Sequence, residues 1–264
     1  MTWTCYRVCF RLLSPMHIGW RKTSYLQQTR PYVTGRVLWG ALTARLVRDK
    51  KGSEYYGMGK RVDEMLRFTY FYPTTNQDEV TIWPWEEPDA FSWNYLGSYG
   101  STTLKDKNAE EGTLHEIEYI SPKTRGGDQV YLMGYVIESD ESGLDWRDAL
   151  NRIRLGGEAG YGWGWVEPLG EPKEIDHCFD CEFLGTKVDP LIKLPKDASI
   201  FSHAQTNGLD LIGTVEPLVG RVTSKDKGFG GLISEADICW APGSKLKVKT
   251  PFYLQEKGVW KACI

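Results

Sequence analysis

Four histidines, six cysteines and no apolar run of membrane length: the 264 residues are poor in the usual means of catalysis, metal binding and membrane insertion. The histidines are scattered, and neither a GxSxG, an HExxH nor a GKS/GKT sequence occurs. That removes the nucleophile elbow, the zinc-peptidase helix and the phosphate-binding P-loop. Only one CxxC is present, Cys178 and Cys181, and a structural zinc site needs four ligands. The sparse cysteines read as reduced thiols of a cytoplasmic protein, with no metal and no cofactor. The N-terminal stretch MTWTCYRVCFRLL interrupts its apolar residues with polar and basic ones, so it reads as a strand and not as a signal peptide. No membrane association is expected.

Acidic residues are missing from one stretch altogether. Ser14 to Thr34 contains neither Asp nor Glu. Residues 1–70 hold 13 Lys and Arg against 4 Asp and Glu, residues 71–180 hold 8 against 22, and the remainder 11 against 9. The net charge of −3 therefore hides a basic N-terminal third, which points to an anionic partner on one face. The acidic middle suits solubility or a basic neighbouring subunit.

What is present has a readable order. Residues 3–13 alternate, with Tyr6, Val8, Phe10 and Leu12 on one face and Arg7 and Arg11 on the other, predicting a strand with a buried and a basic face. A long basic loop, 14–34, leads to a helix from Arg36 to Asp49 with Thr34 as N-cap and a stripe of Val37, Leu38, Ala41, Leu42 and Leu46. Met65–Pro73 reads as a second strand. Residues 74–126 read as an irregular insertion with short strands at Val80–Trp83 and Glu116–Ile120. Gln129–Glu138 is apolar on both faces, as a central strand is. Trp146, Ala149, Leu150 and Ile153 share a helical face behind Asp145, and Gly156 or Gly157 is expected to end that helix. Tyr161–Glu167 reads as a returning strand. The fold class is α+β, a ferredoxin-like, RRM-like βαββαβ core over residues 1–172 with its insertion, followed by a β-rich C-terminal part over 173–264.

Three segments suit a nucleic-acid chain. IRLGGEAGYGWGWVEP sets Gly156, Gly157, Gly160, Gly162 and Gly164 around Tyr161 and Trp163. Glycines admit a phosphate backbone and flat rings stack on bases, although a tight joint between helix and strand would look the same. The basic loop and helix start carry His17, Arg21, Lys22, Arg30 and Arg36, near a helix N-terminus that attracts phosphate. The stretch GRVTSKDKGFGG places Arg221, Lys225 and Lys227 around Phe229 in a hairpin tip. Carboxylate pairs such as Glu116/Glu118 and Glu86/Glu87 lack a base, so no catalytic residue is assigned.

Together these segments resemble a known family. PMHIGWRKTSYLQQTRPYVTGRVLWGALTARL resembles the motif of the RAMP superfamily of CRISPR proteins, in which a small-residue loop is followed by R-P-Y-(I/V)-x-G-x-x-x-x-G-A-L at the start of the first helix. RLGGEAGYGWGWV resembles that superfamily's Gly-rich loop, and VGRVTSKDKGFG and WAPGSKL resemble C-terminal segments of some members. The resemblance implies an RRM-like subunit of a type III-like antiviral effector ribonucleoprotein. Its partners would be the crRNA, other RAMP-type subunits and, through the guide, target RNA. Slicing backbone subunits carry an aspartate in the loop after the first strand, which Ser14–Thr34 lacks. Processing nucleases carry the Gly-rich loop near the C-terminus, whereas a hundred residues follow it here. The resemblance thus favours a non-catalytic subunit capping the 5′ handle. The alternatives are a crRNA backbone subunit and a repeat-RNA endoribonuclease using His17. Outside the family, 11 Trp and 14 Tyr leave room for a carbohydrate-binding module.

Overall fold

The structure, a computed structural model, describes residues 2–101, 104–105, 108–109, 115–186 and 189–263. It is a mixed α+β chain with several sheets and few helices. The first strand, Trp3–Leu12, pairs antiparallel along its whole length with the apolar strand Tyr131–Ser139, from Trp3 opposite Ser139 to Arg11 opposite Tyr131. Its other edge takes Val166–Pro168 and Lys173–Ile175. The far edge of Tyr131–Ser139 takes Leu66–Phe68 and Tyr72–Thr74. All these pairings are antiparallel. In chain order the strand positions therefore run fourth, first, third, second across the sheet, and each edge position is built from two short pieces.

Helices α1 (Gly35–Asp49) and α2 (Tyr55–Met65) connect the first position to the second; α3 (Pro88–Tyr95) lies in the insertion, and α4 (Trp146–Leu150) connects the third position to the fourth. The strand alternation decides where α1 and α4 sit. Val8, Phe10 and Leu12 face one side and pack with Leu38, Leu42 and Leu46 of α1 and with Trp146 and Leu150 of α4. Trp3, Cys5, Met133, Tyr135 and Ile137 face the other side, against a second core with Phe179, Ile192, Phe201 and Phe252. The sheet face expected to be basic is thus covered over much of its area. Arg7 and Arg11 lie beside it, bound to Asp78 and Gln129.

The covering layer is an eight-stranded sheet drawn from the segment 177–262, ending in the edge strand Val215–Leu218. A hairpin, Arg221–Ser224 with Gly228–Ile233, follows that edge and leans on α2, where the Phe229 and Tyr55 rings lie 4.9 Å apart. Lys173–Ile175, just past the expected boundary at 172, still pairs with the first strand. Cys5 and Cys178, one from each layer, bring their sulfurs to 3.2 Å. Among the described residues no helix is long and apolar enough to cross a membrane.

Several local expectations are corrected. The basic loop 14–34 contains a hairpin, Gly19–Thr23 with Leu26–Thr29, because Leu26 and Gln27 find ladder partners in Glu116 and Ile117 of the strand His115–Ile120. Val80–Trp83 is not a strand. Trp83 stacks on Trp85 at 5.0 Å and meets Tyr72 and Phe201, so ring packing holds this segment without a ladder. The expected strand Met65–Pro73 begins only at Leu66, after α2, and is interrupted where Phe71 exchanges both backbone hydrogen bonds with Val33. Thr34 and Asp145 stand at N-cap positions, but neither side chain makes a capping bond. The helix behind Asp145 ends at Leu150, well before either glycine. Tyr161 closes a 3₁₀ turn, Trp165 makes a single bridge with Arg154, and the strand begins only at Val166. Parts of the expected insertion, at 102–103, 106–107 and 110–114, lie outside the described residues.

Candidate nucleic-acid interface

The 15-residue α1 carries two stripes. Its apolar stripe faces the core. On another face Arg36, Gly40, Ala44 and Arg48 recur every four residues, which aligns them in a row down the length of the helix. These four residues line a groove of about 980 Å³. Small side chains in the middle of the row leave the helix surface low, and an arginine stands at each end.

The two walls come from distant parts of the chain. One is the segment 152–157 with Trp165; the other runs over 218–221 and includes Phe229. The Gly-rich turn is tied by backbone to the start of the loop 14–34: Gly157 N–H donates to the His17 carbonyl at 2.8 Å, and Gly164 N–H to the Pro15 carbonyl at 2.8 Å. Gly156 and Gly164 are left-handed, at φ +84° and +81°, and a Cβ on either would overlap a backbone carbonyl, that of His17 or of Leu155. Glycine alone tolerates both conditions, so those two positions are structural. Gly157 and Gly160 adopt backbone conformations open to any residue, and only Gly157 lines the groove.

Among the described residues the groove lining includes eight Arg and Lys side chains and neither Asp nor Glu. The cations are not equally available. Arg45 and Arg152 share Asp49, Arg152 also holds Asp148 at 2.6 Å, and Lys257 holds Asp63 at 2.9 Å. Buried Arg30 donates to Glu216 at 2.7 Å. Arg48 is exposed and makes no ion pair with a described residue. Arg154 lays its guanidinium 3.7 Å over the Trp165 ring, which is 41% exposed, and donates from Nη1 to the Ala159 carbonyl at 3.0 Å; the cation–π contact uses none of its remaining donors. Arg36 differs from all of these. Its stem is covered by the hairpin backbone, since a Cβ on Gly220 would overlap it, and its Nε and Nη1 are buried without a hydrogen-bond partner. Burial pulls its pKa down, with nearby Tyr70, Asp237 and Asp63 opposing. An unpaired buried guanidinium is costly, and an anion in the groove would relieve that cost.

Beneath the groove, Glu216 organises the junction of the N-terminal hairpin with the C-terminal sheet. It accepts from Arg30, from Trp20 Nε1 at 3.0 Å and from His203 Nε2 at 2.6 Å. Burial works against its charge, but the bonds from His203, Arg30 and Trp20 outweigh it and hold the carboxyl well below the usual range, the effect of hydrogen bonds made to the charged form. His203 Nδ1 then accepts from Tyr70 OH at 2.7 Å. Both ring nitrogens of this buried histidine are thereby satisfied.

No protein-family profile matches the sequence, and no curated protein matches it either. Solved structures do match. One similar chain belongs to a cryo-EM structure of the Type III-B Cmr-beta bound to cognate target RNA: TM-score 0.54, 13% identity, covering 92% of this chain and 86% of that one. A second belongs to Cmr-beta bound to cognate target RNA and AMPPnP, state 1, at TM-score 0.53 and 12% identity over the same shares. The fold is shared along nearly the whole chain.

Within that fold the expected residues divide. His17, Arg30, Arg36, Gly156, Gly157, Arg221 and Phe229 come together around the groove, although Arg30 spends its charge on Glu216. Arg21 lies 4.0 Å over the Trp20 ring and 3.7 Å from Glu216, and Lys22 is exposed on the N-terminal hairpin. Gly160, Tyr161, Gly162 and Trp163 lie outside the groove. The Trp163 ring meets Tyr119 edge-on at 5.2 Å, while Tyr161 is exposed. Lys225 sits 5.6 Å over Tyr56, and Lys227 is exposed at the hairpin tip. Sequence reasoning missed Arg48, Arg154 and Trp165. The four-residue spacing from Arg36 to Arg48 was the legible signal for the first; nothing local marks the other two.

Proposed function

We propose that this chain is a non-catalytic RNA-binding subunit of a CRISPR effector ribonucleoprotein, and that the groove over α1 holds the 5′ portion of a guide RNA. The observation that carries the reading is the groove itself: a row of arginines and small residues, free of carboxylates among the described residues, with an unpaired guanidinium at one end. Such a surface suits a polyanion, with phosphates supplying affinity. Trp165 and Phe229 are exposed on opposite walls and suit splayed bases of a single strand. The fourth-first-third-second antiparallel sheet with its connecting helices supports reading the core as a ferredoxin-like βαββαβ unit. The likeness to chains of an RNA-bound Type III-B complex and the RAMP-like motifs support the same reading. Neighbouring subunits would be of the same RAMP type, in the cytoplasm.

The non-catalytic part rests on His17. Among the described residues it has no carboxylate partner in the groove lining, and one ring nitrogen is bound to a backbone carbonyl. The test is fluorescence anisotropy with a guide RNA carrying its 5′ handle, the same RNA without the handle, and a scrambled handle. Handle capping predicts at least tenfold tighter binding of the first, and no cleavage of any. Equal affinity for all three would leave an RNA-binding subunit without a capping role. Site-specific cleavage abolished by His17→Ala would replace the reading with a nuclease.

A further inference from the structure

His17 is 6% exposed, and it is held from three sides. Its carbonyl accepts from Gly157 N–H, the adjacent Ile18 N–H donates to Thr29 Oγ1 at 2.8 Å, and ring Nδ1 lies 2.7 Å from the Glu118 carbonyl. A carbonyl only accepts, so Nδ1 carries a proton, and in the tautomer with that single ring proton Nε2 is an acceptor. Two glycines stand at that edge. A Cβ on Gly19 would stand 3.6 Å from Nε2, and one on Gly157 would stand 3.6 Å from the adjacent Cδ2; both positions are glycine and both line the groove. The charged neighbours along the groove offer donors alone. One fixed acceptor in a donor-rich groove calls for a hydrogen-bond donor on the ligand.

Resting on the reading that a nucleic-acid strand occupies this groove, we infer that His17 Nε2 accepts from a ribose 2′-hydroxyl and makes the groove selective for RNA over DNA at one nucleotide. Phosphates and the sugar ring oxygen accept only, so the 2′-hydroxyl is the one donor an RNA backbone carries and a DNA backbone lacks. It recurs at every nucleotide, so an acceptor at backbone level meets it whatever the base. His17 is thus a specificity residue, and its loss leaves phosphate-driven affinity in place.

The experiment measures binding of one sequence as RNA, as DNA and as RNA with single 2′-deoxy substitutions walked along it. The proteins are the parent, His17→Phe, His17→Gln, Arg36→Gln and Arg48→Gln, each with its melting temperature. For the parent, one position should lose about three- to tenfold on deoxy substitution, the worth of one hydrogen bond. His17→Phe should abolish that loss and lower the RNA-to-DNA affinity ratio by the same factor. If His17→Phe does not fold, His17→Gln, which keeps a donor for the Glu118 carbonyl, takes its place and should shift or weaken the position-specific loss. A flat deoxy walk, or an RNA-to-DNA ratio unchanged by a folded His17 variant, overturns the inference. A flat walk with one position sensitive only to removal of a base amino group would assign Nε2 to a base and overturn it too. The arginine variants separate the two failures. If they weaken RNA and DNA together while the ratio ignores His17, only this inference falls; if they weaken neither, the groove is not the site.

Discussion

Gly157→Ala adds one methyl group to the wall of the groove. The new Cβ would lie 3.6 Å from His17 Cδ2 and 3.8 Å from the His17 carbonyl, ordinary van der Waals distances, and the backbone there is one any residue adopts. The hydrogen bond from the residue 157 N–H to the His17 carbonyl survives the change. Folding should therefore be disturbed by less than about 1 kcal/mol, and the reduced freedom of the unfolded chain works toward a gain of about 0.4–1 kcal/mol. RNA binding is different, because the methyl occupies space at the groove surface where a backbone must approach. Affinity should fall at least about tenfold, roughly 1.4 kcal/mol. Two comparisons frame the result. Gly160→Ala meets nothing within 4 Å and lies off the groove, so both properties should stay at parent values. Gly156→Ala and Gly164→Ala force a side chain onto left-handed backbone and into a carbonyl, so both should lose stability. The assay is melting temperature beside anisotropy with a short guide-like RNA. If Gly157→Ala melts and binds like the parent, the Gly-rich turn is a structural joint and the wall of the groove does not meet RNA.

Other consequences follow from the same geometry. Arg48→Gln should leave melting unchanged and reduce the slope of log affinity against log salt by about 0.7, one phosphate contact on a single strand; an unchanged slope counts against Arg48 as a contact. Glu216 is the centre of a buried relay, an ion pair with Arg30 and a hydrogen bond from His203. Glu216→Gln should cost about 3–5 kcal/mol in urea unfolding, whereas a loss under about 1 kcal/mol would show that the relay does not hold the two halves together. Burial pulls the His203 pKa down, although its bond to Glu216 opposes this. With the folded value below the unfolded one, the unfolded state binds the proton first, and stability drains away as pH falls below about 6.5. The parent should thus lose melting temperature between about pH 7.5 and 5.5 more steeply than His203→Gln, and equal slopes would contradict the assignment.

How much of this was written locally can be judged residue by residue. The alternation of Val8, Phe10 and Leu12 and the stripe Leu38, Leu42 and Leu46 set the sheet face and the helix that covers it, because burial periodicity is a local property. Helix α2 was hidden by Gly57 and Gly59, since glycine lowers helical propensity. It forms with the Glu54 carboxylate accepting from Gly57 N–H at 2.7 Å. The hairpin 19–29 was hidden because its pairing strand lies about ninety residues away. The basic loop was legible as charge but not as availability, since the partner that neutralises Arg30 is 186 residues distant. The aromatic surface was misplaced by the assumption of a strand from Tyr161. A 3₁₀ turn and left-handed glycines at 162 and 164 reset the side-chain directions, so the ring facing the groove is Trp165 and not Tyr161 or Trp163.

The central claim is that RNA lies in the groove over α1, between Trp165 and Phe229. Ultraviolet crosslinking of a short single-stranded RNA to the purified protein, with the joined peptides identified by mass spectrometry, tests it most directly. The account predicts crosslinks at Trp165 and Phe229, on opposite walls, that fade together as salt is raised. Crosslinks confined to other surfaces, such as the exposed Tyr161 or the hairpin 19–29, with neither wall marked, would contradict it.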